Sequence, residues 1–404
     1  MLVPRLFFLG VAVIALHVID DSFLQPQAGT SASDHLVSGL VPLAFLAFAA
    51  WGFPRLRGGR QGALALVLGV LGLAAGGEAV HYAAGGDDFT GFASIGAGVL
   101  LLGVGASTLW RTRRKDGHRF VRRALLGAAG LVVFAFAVLP VGMSYITVHV
   151  ARDAVPAPQL GAAHENVTLT TGDGLRLRGW YVPSRNGAAV IAFPGRKGPQ
   201  PHTRMLVRHG YGVLLFDRRG EGASEGDPNS WGWGGGRDLQ AAIAYLQHRP
   251  DVDRDRIGGI GLSVGGELMI EAAATTPGLK AVASEGAGIR SLREALETPG
   301  NAKWVPSVFK AVETLATATF SNHAPPPNLK TLVTKLAPRP LLLMYSGRGQ
   351  GGEIELNPVF HRAAGPSSTL WQIPGAGHMG GIRAQPAEYE RRVIAFFDAN
   401  LKGV

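Results

Sequence analysis

Two hydrophobic patterns divide this chain near residue 150. Before that point, long apolar stretches alternate with short polar connections; after it, short apolar runs alternate with segments of helical periodicity. Five of the long stretches approach the roughly 20 residues that a helix needs to cross a bilayer. They are Leu2–Ile19, Leu36–Phe53, Gly62–Tyr82, Phe92–Trp110 and Ala124–Ile146. We therefore predict an all-α region of five transmembrane helices over residues 1–146.

The connections between these stretches alternate between basic connections and connections without Lys or Arg. Arg55, Arg57 and Arg60 separate the second stretch from the third, and a larger group separates the fourth from the fifth: Arg111, Arg113, Arg114, Lys115, Arg119, Arg122 and Arg123. The other two connections, Asp20–His35 and Ala83–Gly91, contain no Lys or Arg. By the positive-inside rule, the N-terminus and the basic connections are cytoplasmic, so the chain emerges outside after the fifth span. A multi-pass location in the cytoplasmic (plasma) membrane follows, with everything from about residue 147 extracytoplasmic. A signal peptide is the alternative for the first stretch and leaves this orientation unchanged.

The second half of the chain has the pattern of an α/β domain. Residues 147–164, with Pro156 and Pro158, are typical of a linker. Eight strands are then predicted, at Asn166–Thr171, Leu175–Val182, Ala189–Phe193, Val213–Phe216, Ile257–Gly261, Lys280–Ser284, Leu341–Tyr345 and Thr369–Ile373. Helical segments lie between most of them, which predicts a mostly parallel sheet covered on both faces over residues 165–404. The first two strands form a hairpin at an antiparallel edge.

One connection in this domain is too long to be a plain loop. Residues 285–336 lie between two predicted sheet strands and contain the helical pieces Leu292–Glu297 and Val308–Ala318. We interpret this insertion as a cap or lid that shapes the substrate pocket.

Composition supports the membrane region and excludes several functions. Hydrophobic residues make up 47% of the 404 residues and charged residues only 17%, and the mean hydropathy is +0.16, which favours membrane segments. The net charge of +10 does not require a nucleic-acid partner, because topology explains the basic connections. The chain has no cysteine, which excludes a disulfide or a cysteine nucleophile. It contains no H-E-x-x-H and no phosphate-binding G-x-x-x-x-G-K-[ST] motif, so we expect no metal and no cofactor.

The motif with the clearest chemistry is Gly261-Leu262-Ser263-Val264-Gly265, which fits G-x-S-x-G. An apolar run typical of a buried strand precedes it, and a helical segment follows. A serine on such a tight strand-to-helix turn has its hydroxyl raised clear of the sheet. Ser263 is therefore the candidate nucleophile.

Five short runs, in this order and spacing, resemble the α/β-hydrolase fold superfamily over roughly Glu165–Lys402. The runs are Ala192-Phe-Pro-Gly-Arg, Asp217-Arg-Arg-Gly-Glu-Gly-Ala-Ser, Gly261-Leu-Ser-Val-Gly-Gly, Ala337-Pro-Arg-Pro and Pro374-Gly-Ala-Gly-His-Met. The general resemblance is to esterase-like and dienelactone-hydrolase-like serine hydrolases, some of which carry N-terminal membrane segments. It implies the α/β-hydrolase fold and a catalytic triad of serine, acid and histidine in that chain order.

The resemblance also implies the other catalytic residues. The base is His378, because it lies in a glycine-rich loop after the last strand and before the final helix. The acid should follow the preceding strand, where this chain has no aspartate but offers Glu353 and Glu355. We favour Glu353 and keep Glu355 as the alternative. Two backbone N–H groups should hold the oxyanion, those of Val264 and Arg196.

These residues predict a membrane-anchored serine hydrolase. Its expected reaction is carboxylic ester hydrolysis through an acyl-enzyme, and its expected partners are a small-molecule ester or acyl substrate and the lipid bilayer. The absence of the usual aspartate leaves a second hypothesis open, a membrane sensor or scaffold whose hydrolase fold only binds. A third keeps the fold but makes the protein a peptidase or acyltransferase.

Overall fold

The computed structural model describes residues 2–79, 89–113, 119–150, 152, 154–300 and 304–402. They form two compact units. The first, called the helical unit here, comprises Met1–Arg152, Asp227–Asn229 and Val308–Ala324. The second, the sheet unit, comprises Asp153–Gly226, Ser230–Ser307 and Pro325–Val404.

The helical unit contains the predicted apolar helices. They are α1 (Leu2–Ile19, continued by a π-helical turn at Asp20–Leu24), α2 (Leu36–Gly52), α3 (Gly58–Ala75), α4 (Thr90–Arg111), α5 (Arg119–Val133) and α6 (Leu139–Val148). A π-helical turn at Phe134–Val138 joins α5 to α6. Within the described ranges, five helical segments are long and apolar enough to cross a membrane, the fifth being Val121–Val148. The predicted end of the third span, at Tyr82, lies outside the described residues.

The outward surface of these helices is apolar. Large hydrophobic side chains such as Leu16, Phe48, Trp51 and Leu131 are exposed. In a water-soluble helix these positions would be polar, because the apolar stripe would face the core. The exposed surface is therefore of the kind that lipid covers, which agrees with candidate membrane spans.

An eight-stranded sheet forms the centre of the sheet unit. Its strands are β1 (Glu165–Thr170), β2 (Arg176–Val182), β3 (Ala189–Phe193), β4 (Gly212–Phe216), β5 (Ile257–Leu262), β6 (Ala281–Glu285), β7 (Leu341–Arg348) and β8 (Ser368–Gly377). Their spatial order is β1-β2-β4-β3-β5-β6-β7-β8. The β1–β2 and β2–β4 pairs are antiparallel and the others are parallel. The predicted fold class, a mostly parallel sheet with an antiparallel edge, is confirmed.

Helices cover both faces of this sheet, as predicted. The helices of this half of the chain are α7 (Gln200–Arg208), α8 (Gly236–Gln247), α9 (Val264–Thr275), α10 (Leu292–Glu297), α11 (Trp304–Ser321), α12 (Leu329–Val333), α13 (Glu353–Ala364), α14 (Gly381–Ala384) and α15 (Pro386–Leu401), although most of α11 belongs to the helical unit. Apolar residues of α8, α9, α12 and α13 belong to one buried cluster, and those of α7 and α15 to a second cluster. The strands contribute alternate side chains to the two clusters, since successive residues of a strand point to opposite faces.

The domain limits predicted from the sequence do not coincide with the compact units. Residues 227–229 and 308–324 belong to the helical unit, although the sequence assigned all of 165–404 to the hydrolase domain. The predicted cap, 285–336, is thereby divided: α10 and α12 belong to the sheet unit, whereas most of α11 belongs to the helical unit. Helix α11 packs on α6 through a long-range hydrogen bond, from Ser144 Oγ to the Glu313 carbonyl at 3.0 Å, which local hydrophobic periodicity cannot reveal.

Candidate active site

Ser263 occupies the sharp turn between β5 and α9. Its backbone has φ 51° and ψ −124°, a conformation that non-glycine residues rarely adopt and that strained functional turns retain. The turn is tight enough that a Cβ on Gly261 would lie 2.2 Å from the Gly265 carbonyl oxygen. Ser263 N–H donates to the Glu285 carbonyl at 2.7 Å, which fixes the turn to β6. This geometry presents the Ser263 hydroxyl at the carboxyl end of the parallel strands.

His378 lies within hydrogen-bond distance of that hydroxyl. It follows directly after β8, which ends at Gly377, and its Nε2 is 2.9 Å from Ser263 Oγ. The imidazole is mostly buried but retains some exposure to solvent. A base in this position can accept the hydroxyl proton without a further movement of the loop.

Glu353 contacts the other nitrogen of the imidazole. It is the first residue of α13 and is fully buried; its Oε1 lies 3.1 Å from His378 Nδ1. The same oxygen accepts a hydrogen bond from Gln350 N–H at 3.1 Å. Glu355, the alternative acid, is exposed on the same helix. The side chains of Ser263, His378 and Glu353 therefore form one continuous chain of contacts.

A glycine after β6 leaves room for this arrangement. Gly286 has φ +80°, and a Cβ there would lie 2.9 Å from Glu353 Oε2 and 3.1 Å from His378 Cε1. Any larger residue would therefore meet both the acid and the base, in a backbone conformation that side chains disfavour.

Two further carboxylates, those of Glu285 and Glu267, act on the imidazole through their charge, and neither was identified from the sequence. Glu285 is buried at the end of β6; its Oε1 accepts from Gly381 N–H at 2.8 Å and its Oε2 from Tyr389 OH at 2.7 Å. Glu267 Oε1 accepts from Gly288 N–H at 3.0 Å. Glu285 thus holds the loop that carries His378. An acidic residue directly after a buried strand was the available signal, but the predicted strand ended at Ser284.

The charges around His378 favour its protonated form. The hydrogen bond to Glu353 raises the pKa of His378 above its ordinary value of 6.5, burial opposes this, and the charges of Glu353, Glu267 and Glu285 raise the pKa further. Burial alone would raise the pKa of Glu285, but its interactions with His202, Tyr389 and Gly381 lower it. The site therefore contains carboxylates that stabilise an imidazolium, which is the charge that forms when His378 accepts a proton.

The structure places the N–H groups of the two predicted oxyanion donors in different surroundings. Val264 is the first residue of α9, where backbone N–H groups lack partners within the helix. The Arg196 N–H instead donates to Asp217 Oδ1 at 2.8 Å, and its guanidinium binds Asp217 Oδ2 at 2.6 Å. Arg196 is therefore engaged as a structural ion pair, and its assignment as an oxyanion donor is corrected. The Asp217 carboxylate, 21 positions away in the chain, was not visible to motif spacing.

Within the described ranges, no group of three or more His, Cys, Asp and Glu side chains is arranged to hold a metal ion.

Comparison with known protein families identifies a family to which this fold and site belong. The family model for X-Pro dipeptidyl-peptidase (S15 family) matches residues 149–364, more than half of the chain. The chain belongs to the S15 family. The segment that matches this family includes Ser263 and Glu353 and ends before His378.

Two relatives and one solved structure extend this result. The chain is 33% identical over 142 residues to uncharacterized protein YfhR of Salmonella typhi, covering 32% of this chain and 48% of that protein. It is 36% identical over 124 residues to polyketide transferase grgF of Penicillium sp, covering 27% and 40%. This S15-family chain thus spans less than half the length of these curated relatives. The structure of the Pyrococcus furiosus esterase Pf2001 is similar with 24% identity and a TM-score of 0.51, over 62% of this chain and 97% of the esterase. This likeness shows the α/β-hydrolase fold.

Proposed function

We propose that this S15-family chain is a membrane-anchored serine hydrolase that cleaves carboxylic esters. The observation that supports the proposal most is the contact chain from Ser263 Oγ to His378 Nε2, at 2.9 Å, and from His378 Nδ1 to Glu353 Oε1, at 3.1 Å. A nucleophile, a base and a group that orients the base are the three parts that activation of a serine requires.

The first half of the reaction forms an acyl-enzyme. Ser263 Oγ attacks the ester carbonyl carbon while its proton passes to His378 Nε2. The carbonyl oxygen becomes an oxyanion, to which Val264 N–H donates at the helix N-terminus. When the tetrahedral intermediate collapses, the bond to the alcohol oxygen breaks and His378 returns its proton to that oxygen. The alcohol leaves, and the acyl group stays on Ser263.

The second half repeats these steps with water. His378 removes a proton from a water molecule, whose oxygen attacks the acyl carbon. Collapse of this second intermediate breaks the bond to Ser263 Oγ, which recovers the proton from His378, and the carboxylic acid leaves. Throughout, Glu353 keeps the Nδ1–H tautomer and offsets the positive charge that appears on the imidazole in each half.

The family match favours a second candidate, a peptidase that acts after proline, and the relative grgF, named a polyketide transferase, favours a third, an acyltransferase. All three reactions share the acyl-enzyme and differ in the leaving group or the acceptor. A short-chain p-nitrophenyl ester and an X-Pro p-nitroanilide release chromophores that allow direct comparison of kcat/KM on the purified full chain. We expect turnover of the ester without cleavage of the X-Pro anilide, because esterases and serine peptidases both accept an activated ester, whereas cleavage of the anilide requires a peptidase site.

Each other outcome of that comparison identifies a rival. Cleavage of the X-Pro anilide would identify a peptidase, and conversion of the ester into a new ester when an alcohol is added would identify a transferase. Folded protein that turns over none of these substrates, over a broad ester panel, would favour a binding-only membrane sensor or scaffold.

The basic connections support an extracytoplasmic catalytic site. Arg55 ends the second span, and Arg57 and Arg60 follow it. A cytoplasmic N-terminus and five crossings would therefore put the residues after the fifth span outside. We expect a membrane-impermeant fluorophosphonate to label Ser263 on intact cells as completely as it does after permeabilisation. A permeant fluorophosphonate is the control for total reactive protein. Labelling that requires permeabilisation would place the catalytic site in the cytoplasm and contradict the proposed orientation.

A further inference from the structure

Helix α11, the long helix of the cap insertion, exposes apolar side chains and buries polar ones, which is the reverse of a helix at a water-covered surface. Val308 is 54% exposed and Leu315 is 71% exposed, and Trp304 is exposed one turn before Val308. Four- and seven-residue spacings place these three side chains on one face, because a helix has 3.6 residues per turn. The opposite face is buried and polar: Thr317, nine residues after Val308, is only 1% exposed.

A charged pair lies on the buried side of the same helix. Lys310 Nζ is 2.5 Å from Glu313 Oε2, and the Glu313 side chain is almost completely buried. Helices at a water-covered surface show the reverse arrangement, with charged residues outside and apolar residues inside. A helix that buries its ion pair and exposes Leu and Val is typical of a lipid environment, where polar side chains face the protein interior.

The contacts of α11 connect it to the membrane-spanning helices. Ser144 Oγ donates to the Glu313 carbonyl at 3.0 Å, and the rings of Tyr145 and Phe320 meet edge to face at 5.3 Å. Ser144 lies four residues before the end of the fifth candidate span, Val148, which corresponds to a depth of roughly 6 Å along the helix. This is the depth at which interfacial helices place their apolar face.

The far end of α11 returns to polar surroundings. Asn322 Nδ2, directly after the helix, donates to the Asp34 carbonyl at 3.0 Å, and Asp34 lies in the connection between the first two candidate spans. That connection carries no Lys or Arg, as expected on the outer side. The level of α11 is thereby fixed near one membrane surface, at the ends of the first, second and fifth spans.

We propose that the face of α11 formed by Trp304, Val308 and Leu315 lies against lipid acyl chains at this membrane surface. The inference rests on the proposed membrane insertion of the five spans. It makes part of the cap insertion a membrane-embedded element rather than a water-covered lid. The occupant is lipid because α11 packs on the fifth span, whose exposed side chains beside that contact, Leu139, Met143 and Ile146, are also apolar.

The absence of cysteine from the chain allows a direct test with single cysteines. The full chain is reconstituted in phosphatidylcholine vesicles with a nitroxide at Leu315→Cys, and its collisions with oxygen and with a water-soluble nickel chelate are measured. Leu131→Cys, exposed on the fifth span, is the lipid control, and Arg391→Cys, exposed on α15, is the water control. We expect the oxygen-to-nickel collision ratio at residue 315 to exceed that at 391 several-fold and to lie below that at 131, because Leu131 lies nearer the centre of its span.

Two results would overturn the inference. A ratio at residue 315 equal to that at 391 would mean that water covers α11. Shielding from both reagents would mean that protein, such as a second copy, covers it. If residue 131 also collides with the nickel chelate, membrane insertion itself fails, which separates the two proposals. Fluorophosphonate labelling of each variant shows that the sheet unit is folded, and Val308→Cys repeats the measurement if Leu315→Cys is not.

Discussion

Replacement of Ser263 by alanine is expected to abolish ester turnover, with a fall in kcat on the order of 10⁶-fold, because a triad without its nucleophile retains only the residual contribution of binding and oxyanion stabilisation. His378 and Glu353 would keep their contact, but no hydroxyl would remain 2.9 Å from His378 Nε2. The measurement is kcat for a p-nitrophenyl ester, together with covalent labelling by a fluorophosphonate.

The matched control for this variant is Ser230→Ala, since Ser230 is an exposed serine of the same unit. That variant should label and turn over like the parent chain. Persistent fluorophosphonate labelling of folded Ser263→Ala would remove Ser263 from the mechanism, and with it the proposed serine hydrolase.

The second large effect is expected at Glu353. Glu353→Gln should lower kcat by about 10³- to 10⁴-fold, because an amide cannot stabilise the imidazolium and allows the wrong tautomer. It should also move the acid limb of kcat/KM. The imidazole must be neutral to accept a proton, so activity falls as the pH decreases through the pKa of His378. Glu353 raises that pKa above 6.5, so the limb should lie above pH 6.5 in the parent chain and at lower pH in the variant.

Glu355→Gln provides a control with the same chemical change two residues away. Glu355 is exposed on α13, so its loss should leave both kcat and the acid limb in place. The pH profile separates an electrostatic role of Glu353 from a purely structural one, because a packing defect would lower kcat without moving the limb. Equal losses in the two variants would contradict the choice of Glu353.

Local pattern was sufficient for the sheet and for the position of the serine. Alternating or continuous apolar runs predict strands from local sequence. The change from strand to helix at Ser263 is also local, because an apolar run ends just before it and a helical pattern begins just after it. Glu353 and Glu355 were harder to separate, because both occupy the first turn of α13 and differ only in which way the helix turns them. One is fully buried and the other exposed, and that difference depends on tertiary packing.

Contacts between distant segments were beyond sequence reasoning. The Arg196 amide bonds to Asp217 rather than serving the oxyanion, and Glu285 supports the His378 loop through Gly381, 96 residues away in the chain. Helix α11 was assigned to the hydrolase cap because its neighbours in sequence belong there. Its Glu313 carbonyl accepts a hydrogen bond from Ser144, which lies 169 residues earlier. Hydrophobic periodicity cannot predict a contact over such a separation.

The way the chain passes back and forth between its two units has a consequence for biosynthesis. Segments 227–229 and 308–324 belong to the helical unit, yet the ribosome makes the first after four of the eight sheet strands and the second after six. If the spans insert into a membrane as proposed, assembly of the helical unit is therefore complete only after residue 324 has been made. Cleavage of the chain after residue 152 would leave residues 308–324 attached to the sheet unit without the rest of the helical unit. Their exposed apolar side chains, such as Leu315, would favour aggregation, so a form released by such cleavage is not expected to be stable.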